Sequence, residues 1–540
     1  MIEAGTWDYV VIGAGSAGCV IAARLSEDPN CRVLLLEGGG TDRTSLCMVP
    51  GMVSIIHTVP QVKKKFDWGY KTVPRPRTLD RKIPYLRGKV LGGSSAINGM
   101  VFVRGNRANY DSWSEEGCTG WGYDELLPYF KKLEDFEAGA SEYRGEGGPI
   151  KVSRPTDISP LSEAFLHACS GATGAPIIDD YNGESQEGAA LWQLSCAEGR
   201  RYSSSEGYLH PNLSRNNLDL EIGALVHRVR IEGGKAVGVE YSVGKELKFA
   251  RAEGEVVLSA GAVGSPAILL RSGVGPAEQL KEIGVHSHAD LPVGQNLQDH
   301  LFFPLTFLAP RGGHRGTARH FFGGMLKEKL FGGTWFGRSV FESVAFLKLN
   351  SESPIPDFQL HTLPWAYPAP NQDNSEVRPS VDTRPAFTLL PTLIYPESRG
   401  ELRIRSTDPA EAPHIDPNYL AAERDTETLL RGIELTREIM AHQAISSEIT
   451  AELHPGAEAF KGESLKKELP NRICTVYHPV GTCRMGSDER AVVDPQLRVL
   501  GIENLRVADA AIFPNITGGN TNAPCLMIGE KASAMIRGDF

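Results

Sequence analysis

A glycine-rich turn near the start of the chain restricts its fold more than any other feature. Gly13, Gly15 and Gly18 form the pattern G-x-G-x-x-G between an apolar run at residues 9–12 and a helix-like stretch at residues 19–25. In such a turn the first glycine permits the sharp bend, the second lets the backbone approach a pyrophosphate, and the third lets the helix pack on the strand. The N–H groups at the helix start would face the phosphates. The pattern therefore predicts a βαβ unit that binds a dinucleotide.

An acidic residue, Glu37, ends the second strand of this unit, about 20 residues after Gly18. A carboxylate at this position can accept hydrogen bonds from a ribose diol, and its charge would repel a 2′-phosphate. The motif alone does not distinguish FAD from NAD. A purely structural βαβ turn is the alternative interpretation.

The order of later patterns predicts a nucleotide-binding fold that the chain leaves and re-enters. Residues 310–396 are rich in prolines and aromatic residues and have weak periodicity, which predicts a different domain. Residues 429–441 have helical periodicity, and a Gly-rich turn followed by a helix at 526–536 comes last. Further strand-like runs lie at residues 218–221, 237–241 and 255–259.

Composition excludes several classes of function. The 540 residues carry a formal net charge of −10, which argues against nucleic acid as the main partner, because phosphate binding requires a basic surface. We interpret the basic run at residues 63–65 as a solvated loop. Nine scattered cysteines without a CxxC pair predict no zinc site, no other metal site and a reducing compartment.

Targeting signals are not predicted. A strand is reached by Tyr9, which leaves no room for a signal peptide, and no run of 18 apolar residues predicts a transmembrane helix. We expect a cytoplasmic protein. Peripheral association with the inner face of a membrane stays open.

Five ordered blocks carry a resemblance to a known family. They are residues 88–98 (GKVLGGSSAIN), 261–275 (GAVGSPAILLRSGVG), 293–300 (VGQNLQDH), 478–482 (HPVGT) and 520–524 (NTNAP). Together they resemble the glucose–methanol–choline (GMC) oxidoreductases, in particular the branch of bacterial choline dehydrogenases and alcohol dehydrogenases. The similarity extends from residue 8 to residue 536 and is weakest at about 310–395.

The resemblance implies an α/β fold with a Rossmann-like FAD-binding domain. It also implies a substrate domain built on an antiparallel sheet flanked by helices. We expect a discontinuous FAD-binding domain formed by residues 1–155, 206–308 and 470–540. The substrate domain would consist of residues 156–205 and 309–469.

The resemblance also implies which residues hold FAD. They are Gly13, Gly15, Ser16, Ala17, Gly18, Glu37, Gly88, Gly92, Gly93, Ser94, Asn98, Val226, Asp509, Ala510 and Thr521. Some relatives attach FAD covalently through a histidine in the Gly-Gly block. Ile97 stands at that position and cannot form the bond, so we expect non-covalent FAD.

The reaction implied by the family is oxidation of an alcohol to an aldehyde, with hydride transfer to flavin N5. Loss of the hydroxyl proton requires a base within hydrogen-bond reach, and an unperturbed imidazole titrates near 6.5. Members of the family pair one histidine, here His478, with a second histidine or an asparagine on the last Gly-rich turn. The resemblance assigns that position to Asn522. His478 is thus predicted to be the sole base, and Asn522 the donor that orients the developing alkoxide.

The substrate pocket is predicted from few residues. Glu342 matches a position that faces the substrate cation in choline-oxidising relatives, but a structural acid, or one paired with Arg338, is equally consistent with the sequence. Trp365, with Trp68 and Tyr367, is predicted to line an aromatic pocket, with core packing as the alternative. We expect a small-molecule substrate, a primary alcohol with a bulky or aromatic group. We expect the electrons to pass from the flavin to oxygen or a quinone-type acceptor. Oxidase or dehydrogenase activity and the oligomeric state are not predicted.

Three alternatives stay open from the sequence. They are an NAD-dependent dehydrogenase, a lyase or light-driven decarboxylase on the GMC scaffold, and a flavin-binding protein without catalysis. His478 and Asn522 favour alcohol oxidation, because a decarboxylase needs no such base. Hydrolase and NTPase functions lack their GxSxG and P-loop patterns.

Overall fold

The computed structural model describes residues 1–367 and 384–539. The strands in chain order are β1 Ile2–Ile12, β2 Val33–Glu37, β3 Glu134–Phe136, β4 Ile150–Val152, β5 Gly188–Leu191, β6 Cys196–Ala197, β7 Arg200–Arg201, β8 Leu218–Ile222, β9 Ala224–Glu232, β10 Lys235–Val243, β11 Glu246–Leu258, β12 Leu301–Phe302, β13 Leu305–Leu308, β14 Ser343–Leu347, β15 Phe358–Leu363, β16 Ala386–Leu393, β17 Glu401–Arg403, β18 His414–Asp416, β19 Ala451–His454, β20 Cys474–Thr475 and β21 Leu505–Val507.

The helices lie between these strands. They are α1 Ser16–Leu25, α2 Ser45–Met48, α3 Val53–Thr58, α4 Pro60–Phe66, α5 Arg107–Glu115, α6 Tyr123–Leu133, α7 Pro160–Thr173, α8 Gly261–Arg271, α9 Ala277–Glu282, α10 Ala318–Phe331, α11 Glu423–Ala441, α12 Gln443–Ser446, α13 Glu463–Arg472 and α14 Asn522–Arg537.

The first sheet is built around the Gly-rich turn. Its strand order is β8-β2-β1-β11-β10-β9, and β21 also pairs with β11. Strands β8, β2, β1, β11 and β21 run parallel to one another, whereas β10 pairs antiparallel with β11 and β9 pairs antiparallel with β10. Every residue of β2 is buried, as is typical of a parallel strand covered on both faces.

The packing of α1 against α14 depends on small residues. Ala17, Ala22 and Ala23 of α1 are buried, and Gly529 of α14 faces Val20, where a Cβ would lie 2.7 Å from the valine Cβ. Removing that Cβ lets the two helices approach closely. The C-terminal segment is thereby fixed against the nucleotide-binding unit.

The second sheet is antiparallel and lies beside the first along one cavity. Its strand order is β19-β13-β16-β15-β14-β5, with β12 pairing with β16 and β20. Helix α11 covers it, and Gly432 of α11 lies against the Phe358 ring. A parallel-centred nucleotide sheet together with an antiparallel sheet flanked by helices confirms the predicted fold class.

The sheets differ from the expected domain division at three short strands. The segments assigned to the FAD-binding domain include β12, β13 and β20, and all three pair within the second sheet. The physical reason is main-chain hydrogen bonding, because β12 and β13 pair with β16 and β20 pairs with β12. The remaining boundaries stay a prediction.

Three negative findings apply to residues 1–367 and 384–539. No helix there is long and apolar enough to cross a membrane. No group of three or more His, Cys, Asp or Glu side chains in that part could hold a metal ion. All nine cysteines are free thiols.

Candidate active site

The Gly-rich turn forms a cradle whose shape depends on missing side chains. Gly13 has φ +97°, and a Cβ there would lie 2.6 Å from the Ser259 carbonyl oxygen. A Cβ at Gly18 would collide with the Gly13 carbonyl oxygen, whereas at Gly15 the nearest protein atom would be 3.8 Å away. Gly13 and Gly18 are therefore required by the fold itself. No protein atom requires a glycine at position 15, whereas a Cβ at Gly93 would lie 2.8 Å from the Gly15 Cα. The side of Gly15 on which a Cβ would stand is therefore free to approach a ligand.

Glu37 lies at the end of β2 and is buried beside this cradle. Its carboxylate accepts hydrogen bonds from the backbone N–H groups of Ala14 (3.0 Å) and Gly39 (2.7 Å). Burial raises the pKa of Glu37 to about 7, against the opposing effect of these two hydrogen bonds and of Lys89. Each oxygen keeps a lone pair, so the carboxylate can accept from a ribose diol as well.

A single cavity of about 400 Å³ connects the predicted cofactor residues. Its lining includes Gly13, Gly15, Ser16, Ala17, Glu37, Gly88, Gly93, Ser94, Asn98, Val226, Asp509, Ala510 and Thr521. Two predicted contacts, Gly18 and Gly92, lie behind the wall instead. Gly92 has φ +81°, and its N–H donates to the Ala14 carbonyl at 2.8 Å, so it shapes the turn rather than facing the cavity.

Hydrogen bonds within the protein fix two polar side chains of the cavity lining, Asp509 and Asn98. Asp509 accepts hydrogen bonds from the Gly261 N–H (2.8 Å) and the Ser265 hydroxyl (2.5 Å) at the start of α8. Asn98 accepts from the Met100 N–H and from Arg201. An open glycine cradle, a diol acceptor and a helix start that share one elongated cavity fit an adenine dinucleotide such as FAD.

His478 lies where this cradle meets the second sheet, and it is held from three sides. Its backbone N–H donates to Asp299 at 2.8 Å, its Nδ1 lies 3.0 Å from His300 Nδ1, and its Nε2 lies 3.1 Å from the amide nitrogen of Asn520. The two imidazole rings are nearly perpendicular. Thr475 donates a hydrogen bond to Asp299 in turn. The ring therefore has one defined orientation toward the cavity.

Burial lowers the pKa of His478 well below its ordinary value of 6.5, and the neighbouring His300, His361 and Arg87 add to the effect. The imidazole is therefore neutral at physiological pH. A neutral imidazole can accept a proton, which is the state that general-base chemistry needs.

The structure corrects the predicted partner of His478. Asn520, rather than Asn522, contacts the imidazole. Asn522 is the first residue of α14 and accepts a hydrogen bond from the Ser16 hydroxyl at 2.7 Å. Because the helix starts at Asn522, its side chain turns toward the Gly-rich turn, while Asn520 remains in the preceding loop and faces the base.

An apolar chamber adjoins His478 on the side of the second sheet. We call it the substrate chamber and define it as Val53, Phe302, Val340, Phe341, His361, Leu363, Trp365, Tyr367 and Leu390, which all line the cavity. Trp365 and Tyr367 thus line the cavity, and their contact with substrate stays a prediction. Trp68 also lines the cavity, but it lies against Gly38 at the nucleotide end.

His361 is the one polar side chain of the chamber that sequence reasoning missed. It lies on β15, it is 2% exposed, and neither ring nitrogen has a hydrogen-bond partner among the described residues. Burial lowers its pKa to about 3. The residue belongs to no motif, so only the strand register, opposite Leu390, brings it to the cavity.

The structure also corrects the predicted contact of Glu342 with the substrate, because this residue does not line the cavity. Its carboxylate accepts hydrogen bonds from the Ser159 N–H (2.9 Å) and the Ser162 hydroxyl (2.6 Å) and forms an ion pair with Arg315. Arg338, the alternative partner considered from the sequence, instead donates to Ser153 at 2.8 Å. Glu342 therefore ties α7 to the loop before α10 and has no charge to offer a substrate.

Comparison with known proteins agrees with this geometry. Two family models described as GMC oxidoreductase match residues 7–302 and 396–529. The chain is 40% identical to the oxygen-dependent choline dehydrogenase of Brucella anthropi, covering 98% of this chain and 95% of that protein. It is 41% identical to the mitochondrial choline dehydrogenase of Homo sapiens, with 98% and 90% coverage.

Solved structures with the same fold are also similar over nearly the whole chain. Pyridoxine 4-oxidase from Mesorbium loti superimposes with a TM-score of 0.86 at 31% identity, covering 98% of each chain. A formate oxidase superimposes with a TM-score of 0.89 at 26% identity, covering 100% of this chain and 99% of the other.

The chain belongs to the GMC oxidoreductase family. It is an FAD-dependent oxidoreductase that acts on CH–OH donors. The expectation of an FAD enzyme is confirmed, and the NAD-dependent alternative is wrong.

Proposed function

We propose that this enzyme oxidises a neutral apolar or aromatic primary alcohol to the aldehyde, with His478 as the base that takes the hydroxyl proton. The observation that carries the proposal is the position of the neutral His478 ring between the dinucleotide cradle and the substrate chamber. A hydroxyl group bound there has a base on one side and an apolar pocket on the other.

We infer the positions of the protons on His478 from its contacts. The 3.0 Å contact between the two Nδ1 atoms needs one hydrogen. If His478 carries it, His300 accepts, and Nε2 of His478 is left as the basic atom. Asn520 now donates to that lone pair, which a substrate hydroxyl would take over. The amide N–H could then turn to the alkoxide oxygen as negative charge develops there.

Bound FAD supplies the acceptor for the hydride that leaves the alcohol carbon. The residues of this chain position the base and exclude water. Asp299 and His300 fix the ring of His478, and the apolar chamber excludes water from the reacting carbon. Because the imidazole is neutral and held in place, it can take the proton without reorientation of its ring.

The substrate class follows from the charges around the chamber. The acidic residues that line the cavity are Glu37, Glu411 and Asp509, and none of them belongs to the substrate chamber. Glu342 is neutralised by Arg315 outside the cavity. Among the described residues the chamber therefore offers no carboxylate to a cation, and from this we infer a neutral alcohol. Its aromatic rings do not distinguish the two classes, because they stack on a neutral ring and also attract a quaternary ammonium ion.

An anaerobic screen tests the proposal. Purified holoenzyme is mixed with benzyl alcohol, an aliphatic alcohol of similar size or choline, and bleaching of the flavin absorbance is followed by stopped flow. We expect benzyl alcohol to reduce the flavin fastest and choline slowest. Bleaching by choline alone would reject the substrate class, and no bleaching by any primary alcohol would reject the reaction. Reoxidation by oxygen or by a soluble quinone then identifies the acceptor.

A further inference from the structure

Helix α10 exposes an unusually large apolar surface. Phe322, Leu326, Leu330 and Phe331 are 61%, 56%, 62% and 83% exposed. Phe322, Leu326 and Leu330 are spaced by four residues, so they lie one above the other on successive turns. A contiguous apolar patch of this kind on a water-exposed surface indicates an interaction site.

The opposite face of the helix is well packed, so the exposed face is not a displaced core face. Gly324 lies against the Trp335 ring, and Phe321 packs edge-on against Phe336. The Glu328 carboxylate accepts hydrogen bonds from the N–H and hydroxyl groups of Thr334, both at 2.8 Å. The helix is anchored on one side and presents Phe322 and its neighbours on the other.

The charges of the exposed face have one sign. Arg319, Lys327 and Lys329 are exposed, and Glu328, the only acidic residue of the helix, is turned inward. None of the three basic residues forms an ion pair with a described residue. The face is thus apolar and basic on a chain whose net charge is −10.

We propose that α10 docks on the surface of an anionic lipid bilayer. Such a surface binds helices that lie in its plane and carry large apolar side chains with basic residues beside them. The apolar side chains enter the boundary between headgroups and acyl chains, while Lys and Arg interact with the lipid phosphates. A second copy of this chain is disfavoured, because a two-fold contact through this face would set basic residues against basic residues. Residues 340 and 341, shortly after the helix, line the substrate chamber.

Vesicle sedimentation tests the proposal with the intact holoenzyme. Flavin absorbance in the pellet is measured with vesicles of phosphatidylcholine alone or mixed with phosphatidylglycerol. We expect binding to the anionic vesicles, little to the neutral ones, and weakening by salt. The Leu326→Ser/Leu330→Ser double variant should bind at least ~10-fold more weakly. Lys327→Glu/Lys329→Glu should lose the preference for phosphatidylglycerol.

The matched control is Ile222→Ser/Leu247→Ser, which removes two exposed apolar side chains on the first sheet and should bind like the parent. All variants should keep their flavin spectrum. The proposal is overturned if the parent binds neither vesicle, if the control pair weakens binding as much as the α10 pair, or if light scattering finds a dimer that the α10 pair converts to a monomer. The test does not use alcohol oxidation, so it fails or succeeds independently of the proposed function.

Discussion

At the scale of single residues, the active site depends on how one imidazole is held. His478 receives support at its backbone N–H and at both ring nitrogens. These contacts cost no conformational entropy during the reaction, because the fold has already fixed the groups. The function of the ring should therefore be separable from the binding of FAD.

Replacing the base should abolish turnover while the cofactor stays bound. His478→Ala is expected to lower the rate of anaerobic flavin reduction by ~10²–10⁴, because general-base catalysis contributes about that much. The flavin content, measured by absorbance, should not change. His167→Ala, an exposed position on α7, is the control. Near-normal reduction by His478→Ala would contradict the assignment.

The pH dependence follows from the lowered pKa of His478. A base must be deprotonated to act, and this imidazole stays neutral well below pH 6.5. We expect kcat/KM to remain flat as the pH falls through 6.5 and to decline only at more acidic values. A profile whose acidic limb has its midpoint near pH 6.5 would mean that the ring is solvated during turnover.

Substitutions of Asn520 and of Asn522 should have different effects, the first on the rate of flavin reduction and the second on FAD binding. Asn520→Ala removes the amide that faces His478 Nε2 and is expected to cost ~10²–10³ in flavin reduction. Asn522→Ala removes only the contact with Ser16, so it should affect retention of FAD more than the rate. Rate constants and flavin stoichiometry of the two variants measure this directly. Equal rate losses in both would contradict the correction.

The limits of sequence reasoning are visible in these residues. His478 could be predicted because its HPVGT block fixes it. The NTNAP block contains two asparagines, and only the start of α14 at Asn522 decides which of them faces the base. His361 carried no signal, because strand register alone brings it to the chamber. Glu342 was matched to a substrate contact because a sequence match does not reveal a buried counter-ion such as Arg315.

At the scale of elements, periodicity predicted the βαβ unit and the helices that cover the sheets. It failed for β12, β13 and β20, because two- to four-residue strands have no period to detect, and their pairing partners lie far away in the chain. The ion pair between Glu342 and Arg315 is of the same long-range kind. It joins the segment before β14 to α7 and to the loop before α10.

Breaking that ion pair should affect stability and leave specificity unchanged. Glu342 is 1% exposed, and Glu342→Ala would remove the carboxylate that pairs with the partly buried Arg315 and accepts hydrogen bonds from Ser159 and Ser162. Breaking a buried ion pair in this way costs about 3–5 kcal/mol in the free energy of unfolding, and we expect the lower end because Asp157 still interacts with Arg315. Urea denaturation measures the loss. The exposed acid Glu163 on α7 provides the control, Glu163→Ala. A changed ranking of alcohols with unchanged stability would instead restore Glu342 as a substrate contact.

At the scale of the whole molecule, the cofactor cavity is assembled from segments far apart in the chain. Ile97 lines this cavity and has no nucleophilic atom that could bond to a flavin. We expect acid precipitation of the protein to release all the FAD into the supernatant. Apoprotein prepared under milder conditions should have a lower Tm, and added FAD should restore it, since a ligand at 100 times its Kd stabilises by about 2.7 kcal/mol. Flavin retained in the precipitate would show a covalent bond elsewhere in the site.

The position of β21 and α14 against the first sheet also determines when the enzyme can mature. A nascent chain that has emerged as far as residue 470 already contains the Gly-rich turn and Glu37, but it lacks His478, Asn520 and the strand that pairs with β11. Its cradle would be open along one wall. Flavin insertion is therefore an event of the last stage of translation or later, and ribosome-stalled fragments of this length should be colourless.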